Sequence, residues 1–265
     1  MERNDNLKTT FDENPNLYHS IRPRYPMALF DTLIKMAQLQ DSSKLLEIGP
    51  GTGQATEFLA KHGFSLQAIE LGQKLSQFAQ REFKKYKNVE IINGAFEEIE
   101  LLPNNYDLVF AATAFHWIKP EVKYTKTHKI LNSSGNLAII ETHNMSDSRD
   151  DSFFFASQPI YKKHCGKDCY DSGFRLKAIS ELSAYNVDES FFKVVCFNVF
   201  PLVVKYSAND YLRLLNTYSD VISMEIGKRN MFLNDIRNLI EKEFNGHIVK
   251  HYGMSLTLAR KICLE

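Results

Sequence analysis

The sequence predicts an α/β fold in which a mostly parallel sheet carries helices on both faces. Short apolar runs of strand length alternate along residues 44–142 with segments that have the spacing of helices. Connections between parallel strands are right-handed, so this alternation places helices on both faces of the sheet. The chain has 265 residues, 44% of them hydrophobic, which is enough apolar material for a sizeable core.

The first strand, turn and helix lie in residues 44–56, K-L-L-E-I-G-P-G-T-G-Q-A-T. Gly49, Gly51 and Gly53 stand at alternate positions of the turn. Because glycine lacks a Cβ and tolerates positive φ, such a turn lets a ligand lie against bare backbone. A helix predicted at residues 54–61 adds free N–H groups and a partial positive charge. We therefore expect a ligand site at this turn.

The other elements follow from the same patterns. Prolines prevent a long helix in the aromatic arm of residues 11–26, which either packs as a surface segment or closes as a lid. Helices are predicted at residues 27–39, 73–86, 121–131, 210–218 and 231–244, and strands at 65–71, 89–92, 107–110, 136–142, 191–205 and 252–259. About residues 146–190 the alternation breaks, which predicts an inserted helical cover over the ligand edge of the sheet.

Composition argues against several classes of protein. The formal net charge is zero, with 32 basic and 32 acidic residues, whereas nucleic-acid-binding proteins usually carry a basic excess. The N-terminus lacks an apolar signal core, and no apolar run approaches about 18 residues. We therefore expect a cytoplasmic protein with no membrane span. Cys165 and Cys169 lack the second ligand pair that a zinc site needs, so we expect no metal.

The register of the turn indicates the kind of ligand. A dinucleotide turn, G-x-G-x-x-G, needs a glycine where Gln54 stands, and a phosphate loop needs a lysine after its last glycine. Neither pattern is present. Glu70 closes the next strand, where a carboxylate can accept two hydrogen bonds from a ribose diol. The combination favours a nucleoside ligand without a triphosphate.

Four segments together resemble motifs of the class I S-adenosylmethionine-dependent methyltransferases: L-L-E-I-G-P-G-T-G followed by A-I-E-L, I-I-N-G-A-F-E-E-I, Y-D-L-V-F-A-A-T-A-F-H-W-I, and L-N-S-S-G-N-L-A-I-I. Y-x-x-x-R-P-x-Y-P near the N-terminus and Y-L-R-L-L-N-T-Y-S-D further on resemble a small-molecule subgroup that includes trans-aconitate methyltransferase-like proteins. The resemblance implies a Rossmann-like, seven-stranded sheet in the order 3-2-1-4-5-7-6 with an antiparallel last strand. It also implies one methyltransferase domain over residues 1–265, with residues 1–26 as a lid.

The resemblance implies S-adenosylmethionine as cofactor and assigns roles to several residues. The three glycines would border its methionine part, and Glu47 would support the turn and the amino group. Glu70 would hold the ribose, with Leu71 against the adenine. The remaining expected cofactor contacts are Tyr18, Arg22, Ala95, Phe96, Glu97 and Ala112. Arg22 would pair with the cofactor's carboxylate. Ala95 departs from the family pattern, because many relatives have Asp there, and Glu97 would take that role.

The sulfonium of such a cofactor is already activated, so positioning and exclusion of water supply much of the acceleration of an in-line displacement. A base is needed only if the acceptor loses a proton. His116 follows the fourth strand and is the candidate catalytic base, and His143 follows the fifth. We expect methyl transfer to a carboxylate or hydroxyl of a small molecule by a monomer or homodimer. The alternatives are a protein or tRNA methyltransferase and an NAD-dependent oxidoreductase.

Overall fold

In the computed structural model, which describes residues 12–147, 151–166 and 175–263, seven strands form one sheet. Their order is β3-β2-β1-β4-β5-β7-β6. The strands are β1 (Lys44–Ile48), β2 (Ser65–Glu70), β3 (Val89–Asn93), β4 (Tyr106–Ala112), β5 (Leu131–Met145), β6 (Phe192–Ser207) and β7 (His247–Lys261). β1 to β5 pair in parallel, and β7 runs antiparallel to β5 and β6. The predicted fold class and strand order are confirmed.

Nine α-helices lie in the described part of the chain. They are α1 (Pro15–Ile21), α2 (Met27–Met36), α3 (Thr56–Ala60), α4 (Gln73–Phe83), α5 (Pro120–Ile130), α6 (Ser152–Cys165), α7 (Ala208–Leu215), α8 (Ser219–Ile222) and α9 (Ile226–Glu243). None of these helices combines the length and the apolar character that crossing a membrane requires.

β1 is an inner strand of the sheet, and its residues after Lys44 are all buried. Leu45 and Leu46 point to opposite faces and both are 0% exposed, so helices must cover the strand on both sides. β1 pairs with β2 and β4, which places the carboxyl ends of these three strands side by side. The predicted ligand turn therefore begins at the centre of the sheet's carboxyl edge.

The contacts of the chain divide into two compact units. The glycine-turn unit consists of Arg24–Thr142, Ser183–Phe200 and Met254–Glu265. Its core includes Leu46, Val109, Phe115, Leu137 and Ile139. The tyrosine unit consists of Met1–Pro23, His143–Leu182 and Pro201–Gly253, and its core includes Tyr206, Tyr211, Phe232, Ile236 and Tyr252.

The described part of the arm contains a seven-residue helix, α1, because Pro15 is tolerated in its first turn and Asn14 caps it by accepting from Leu17 N at 3.0 Å. This short helix agrees with the prediction that the prolines prevent a long one. Two other local predictions are corrected. The fifth strand was predicted at residues 136–142, but residues 132–135 also belong to β5, which shifts register between its pairing with Tyr106 and with Leu108. The helix after the glycine turn is shorter than predicted, since only Thr56–Ala60 is helical. Part of the predicted cover lies outside the described residues; α6 belongs to the described part.

Candidate functional site

The three glycines of the turn all adopt the left-handed conformation, with φ of +68° at Gly49, +59° at Gly51 and +84° at Gly53. A Cβ on Gly49 would lie 2.6 Å from Ala114 Cβ, and one on Gly53 would lie 2.1 Å from Phe83 Cε2. Side chains are excluded at these two positions by both conformation and space. The turn therefore presents bare backbone, as its glycine spacing predicted.

Glu70 ties this turn to the end of β2. Its Oε2 accepts from Gly51 N and its Oε1 accepts from Gly72 N, both at 2.8 Å. Glu70 is 7% exposed, so its carboxylate is largely shielded from water. Asn93, at the end of β3, donates from Nδ2 to the carbonyls of Glu70 at 2.9 Å and Leu71 at 3.2 Å. Asn93 was not among the predicted site residues, and it acts through its position beside β2.

Glu47 lies on β1 beneath the turn and is 0% exposed. Its Oε2 accepts from Thr56 Oγ1 at 2.6 Å. Burial raises the pKa of this carboxyl to about 8, the hydrogen bond from Thr56 opposes the shift, and the negative charge of Glu70 adds to it. Glu47 is therefore mainly protonated at neutral pH in this structure.

Three buried polar atoms around the turn have no hydrogen-bond partner within the described chain. They are Glu47 Oε1, Thr52 Oγ1 and Gln54 Nε2. Buried polar groups are nearly always paired with protein or water, so three unpaired atoms at one turn mark a place for further polar partners. Thr52 and Gln54 were not among the predicted site residues. The neighbouring glycines are the sequence feature that could have pointed to Thr52 and Gln54 as site residues.

The end of β4 carries backbone strain. Thr113 follows Ala112, the last residue of β4, and has φ of +58°. A β-branched residue in this conformation is a genuine outlier, and such strain concentrates at ligand sites. Its N–H donates to Ile140 O at 2.7 Å, and its Oγ1 lies 3.2 Å from Tyr25 Oη. The protein holds this segment in a costly conformation directly after the strand.

The segment after β3 is partly occupied by contacts within the protein. Phe96 is 4% exposed in the core of the glycine-turn unit, and its carbonyl accepts from Lys126 Nζ at 2.6 Å. Glu97 Oε1 accepts from the backbone N–H of Lys119 at 3.0 Å, at the start of α5. Leu71 is 45% exposed, whereas the ring of Phe96 is buried. The expected contacts of Ala95, Phe96 and Glu97 with a cofactor stay predictions.

Residues 46–139, which contain this site, match the family model of a methyltransferase domain. Over this segment the chain is similar to methyltransferase domains. An uncharacterised methyltransferase-like protein of Schizosaccharomyces pombe is 28% identical over 49% of this chain and 50% of its own length. A second S. pombe protein, an uncharacterised methyltransferase, is 24% identical over 88% of this chain and 87% of its own length. The match to the first of these relatives therefore spans only half of that protein.

The structural comparison agrees with the fold. A candidate type II methyltransferase from Anaeromyxobacter dehalogenans superposes with a TM-score of 0.64 at 19% identity, covering 91% of this chain and 98% of that one. At this identity the likeness concerns the fold alone. The chain thus has the sheet order and the glycine turn that the motifs indicated.

Tyr18 and Arg22 were predicted to close over the cofactor. Both belong to the tyrosine unit, whereas the segment that matches the methyltransferase family, residues 46–139, belongs to the glycine-turn unit. The guanidinium of Arg22 lies 4.9 Å from the ring centre of Tyr18 and 4.5 Å from that of Tyr218. It also donates to Thr217 O at 2.6 Å. Its predicted bond to a cofactor carboxylate stays a prediction.

His116 lies in a 3-10 turn, Phe115–Trp117, that follows β4. Its ring is half-buried and its centre is 5.0 Å from that of Trp117. His143 lies on β5, where burial and the charge of Lys177 lower its pKa. No cluster of three or more His, Cys, Asp or Glu side chains suited to a metal occurs among the residues with described positions. Cys169 lies outside that part of the chain.

Proposed function

We propose that this protein transfers a methyl group from S-adenosylmethionine to a small molecule that bears a carboxylate or a hydroxyl. The observation that carries the proposal is the glycine turn, which Glu70 fixes through Gly51 N and around which three buried polar atoms lack partners. The methyltransferase family implies this cofactor. The finer assignment, to the subgroup with trans-aconitate methyltransferase-like proteins, rests on the motif resemblance.

The residues around the turn fit such a group. The Glu70 carboxylate would accept from the ribose hydroxyls, and the exposed side chain of Leu71 would cover the adenine. Gly49, Gly51 and Gly53 would let the methionine part approach the backbone, since glycine carries no Cβ. Glu47 would support the turn from beneath through its hydrogen bond with Thr56.

When bound, S-adenosylmethionine supplies a methyl group already activated on a sulfonium. The protein then contributes chiefly by orienting the acceptor and excluding water. Ala112 and the strained Thr113 would fix the backbone at the end of β4 beside the bound group. His116, in the turn after β4, would remove a proton from a hydroxyl acceptor, whereas a carboxylate acceptor would need no base.

Calorimetry with S-adenosylhomocysteine tests the proposal. The wild type should bind it, and Glu70→Ala should weaken binding at least tenfold, because a charged hydrogen bond contributes about 1.5–3 kcal/mol. Glu98→Ala is the matched control, since Glu98 is an exposed carboxylate just beyond the segment after β3. Binding of NADH in place of S-adenosylhomocysteine would overturn the proposal in favour of an oxidoreductase.

A second experiment identifies the molecule that accepts the methyl group. Cell extract incubated with the protein and radiolabelled S-adenosylmethionine should yield a labelled small molecule. Label found only in the protein or tRNA fraction would refute the small-molecule assignment while leaving methyl transfer intact.

A further inference from the structure

The ammonium of Lys126, on α5, donates to three backbone carbonyls in the segment that follows β3. They are the carbonyls of Phe96 at 2.6 Å, Glu97 at 3.2 Å and Ile99 at 2.6 Å. An ammonium carries three hydrogens, so the three acceptors match its whole donor capacity. Lys126 Nζ also lies 5.0 Å from the ring centre of Phe96. Four contacts of one side chain therefore converge on residues 96–99.

Residues 95–99 form a single helical turn, in which the N–H groups of Glu98 and Ile99 donate to Ala95 O at 2.9 and 3.1 Å. No further helical turn follows to supply donors for the next carbonyls. Lysine side chains near a helix end can satisfy such carbonyls, and Lys126 does so here from a neighbouring element. Because an isolated helical turn is unstable, the conformation of residues 95–99 depends on these bonds.

A second bond fastens the same segment to α5. Glu97 Oε1 accepts from the backbone N–H of Lys119 at 3.0 Å, at the start of the helix. Lys119 and Lys126 are seven residues apart, which is about two turns of an α-helix, so both attachments lie on the same side of α5. They fix α5 to the segment along about 10 Å of the helix. The position of residues 95–99 is therefore set by α5 as well as by the end of β3.

The segment that Lys126 holds starts beside Glu70, the residue that fixes the glycine turn. Gly94 N donates to Glu70 O at 2.9 Å, directly before residues 95–99. Asn93 pairs with Glu70 in the sheet, so the segment leaves β3 at the same carboxyl edge at which β2 ends. Ligands of open α/β sheets bind at this edge. Residues 95–99 therefore lie where they can form one side of the expected cofactor site.

We infer that Lys126 is a positioning residue, which holds residues 95–99 against the adenine base of the cofactor. The inference rests on the proposed function, since it requires S-adenosylmethionine to bind at the glycine turn. Lys126 acts through the backbone carbonyls and not through contact with the ligand. Without its ammonium the three carbonyls lose their donor, and the segment loses its main attachment to α5. Recognition of the base then weakens, while the bonds of Glu70 to Gly51 and Gly72 stay in place.

Calorimetry with two ligands tests the inference. S-adenosylhomocysteine carries the adenine amino group, and S-inosylhomocysteine carries an oxygen in its place, which exchanges a hydrogen-bond donor for an acceptor. The wild type should bind the adenine ligand about tenfold more tightly, because a mismatched polar group at the base is left unpaired. Lys126→Met keeps an unbranched apolar stem but donates no hydrogen bond, and it should remove most of this preference. Lys129→Met, which removes an exposed lysine from the same helix, should keep the preference of the wild type.

The ratio of the two affinities separates positioning from general stability. A lysine that only stabilised the fold would lower the unfolding temperature and weaken both ligands alike, without changing their ratio. Lys126→Arg is the second variant in case Lys126→Met fails to fold. It keeps the charge, but a planar guanidinium cannot direct three hydrogens at three converging carbonyls, so the preference should fall by less than in Lys126→Met.

Two results would overturn the inference alone. One is equal binding of the two ligands by the wild type, which would show that residues 95–99 do not recognise the base. The other is an unchanged preference in the folded Lys126 variants, which would show that the base is recognised without this lysine. Failure of the wild type to bind either ligand would overturn the proposed function, and this inference with it.

Discussion

The buried carboxyl of Glu47 predicts a pH-dependent stability that a single substitution should remove. Its pKa rises from 4.5 to about 8 in the folded chain, mainly through burial. Between these values the folded state binds one proton more than the unfolded state, so stability falls as pH rises, by about 1.4 kcal/mol per pH unit. The contribution is fully present below pH 4.5 and is lost as pH approaches 8. From pH 5 to 7 the loss is about 3 kcal/mol.

Glu47→Gln replaces the carboxyl with a group that does not titrate and whose carbonyl can still accept from Thr56 Oγ1. Urea unfolding at pH 5, 6 and 7 should show the stability of the variant rising relative to the wild type by about 3 kcal/mol across this range. Glu82→Gln, an exposed change on α4, should follow the wild type at every pH. If the free energies of unfolding of Glu47→Gln and wild type changed in parallel with pH, the reasoning would be refuted, because Glu47 would then be ionised in the folded protein.

Two further substitutions test the backbone of the site. Gly53→Ala and Gly63→Ala both place a side chain at φ of +84°, but only the first meets the ring of Phe83, at 2.1 Å, while the second has open space. Urea unfolding should therefore show Gly53→Ala as the less stable by about 1–3 kcal/mol, and equal losses would mean that Phe83 moves freely aside. Thr113→Gly should raise stability by about 1 kcal/mol by relieving the strain at φ of +58°; a loss of stability would show that the side-chain contacts of Thr113 outweigh that strain.

The sheet and its turn could be predicted because their signals are local. The apolar run of β1 and the alternate glycines stand within a few residues of one another, and their periodicity and conformational demands follow from residue type alone. The partners of Glu70 were harder to predict. Asn93 meets Glu70 only after β2 and β3 have paired, and no local pattern distinguishes this asparagine from a surface residue.

The start of the last strand could not be predicted for a different reason. The strand was expected to begin at residue 252, whereas β7 begins at His247. Residues 247–251 are polar apart from Ile248 and Val249, so no apolar run marks them as part of the strand. An uncertainty of a few residues at a strand end is ordinary.

Glu47 and Glu70, the two acidic residues next to the glycine turn, differ in their hydrogen-bond partners and in their burial. Glu70 accepts two backbone N–H bonds, which favour a charged carboxylate, whereas Glu47 receives one hydroxyl and is fully buried. Because like charges repel in a buried site, the protonation of Glu47 allows Glu70 to stay charged and to hold Gly51. Thr56 donates to Oε2, so the proton of Glu47 belongs on the partnerless Oε1. A cationic group placed next to the turn would favour release of that proton, so the charge of the turn would respond to the ligand that we propose for it.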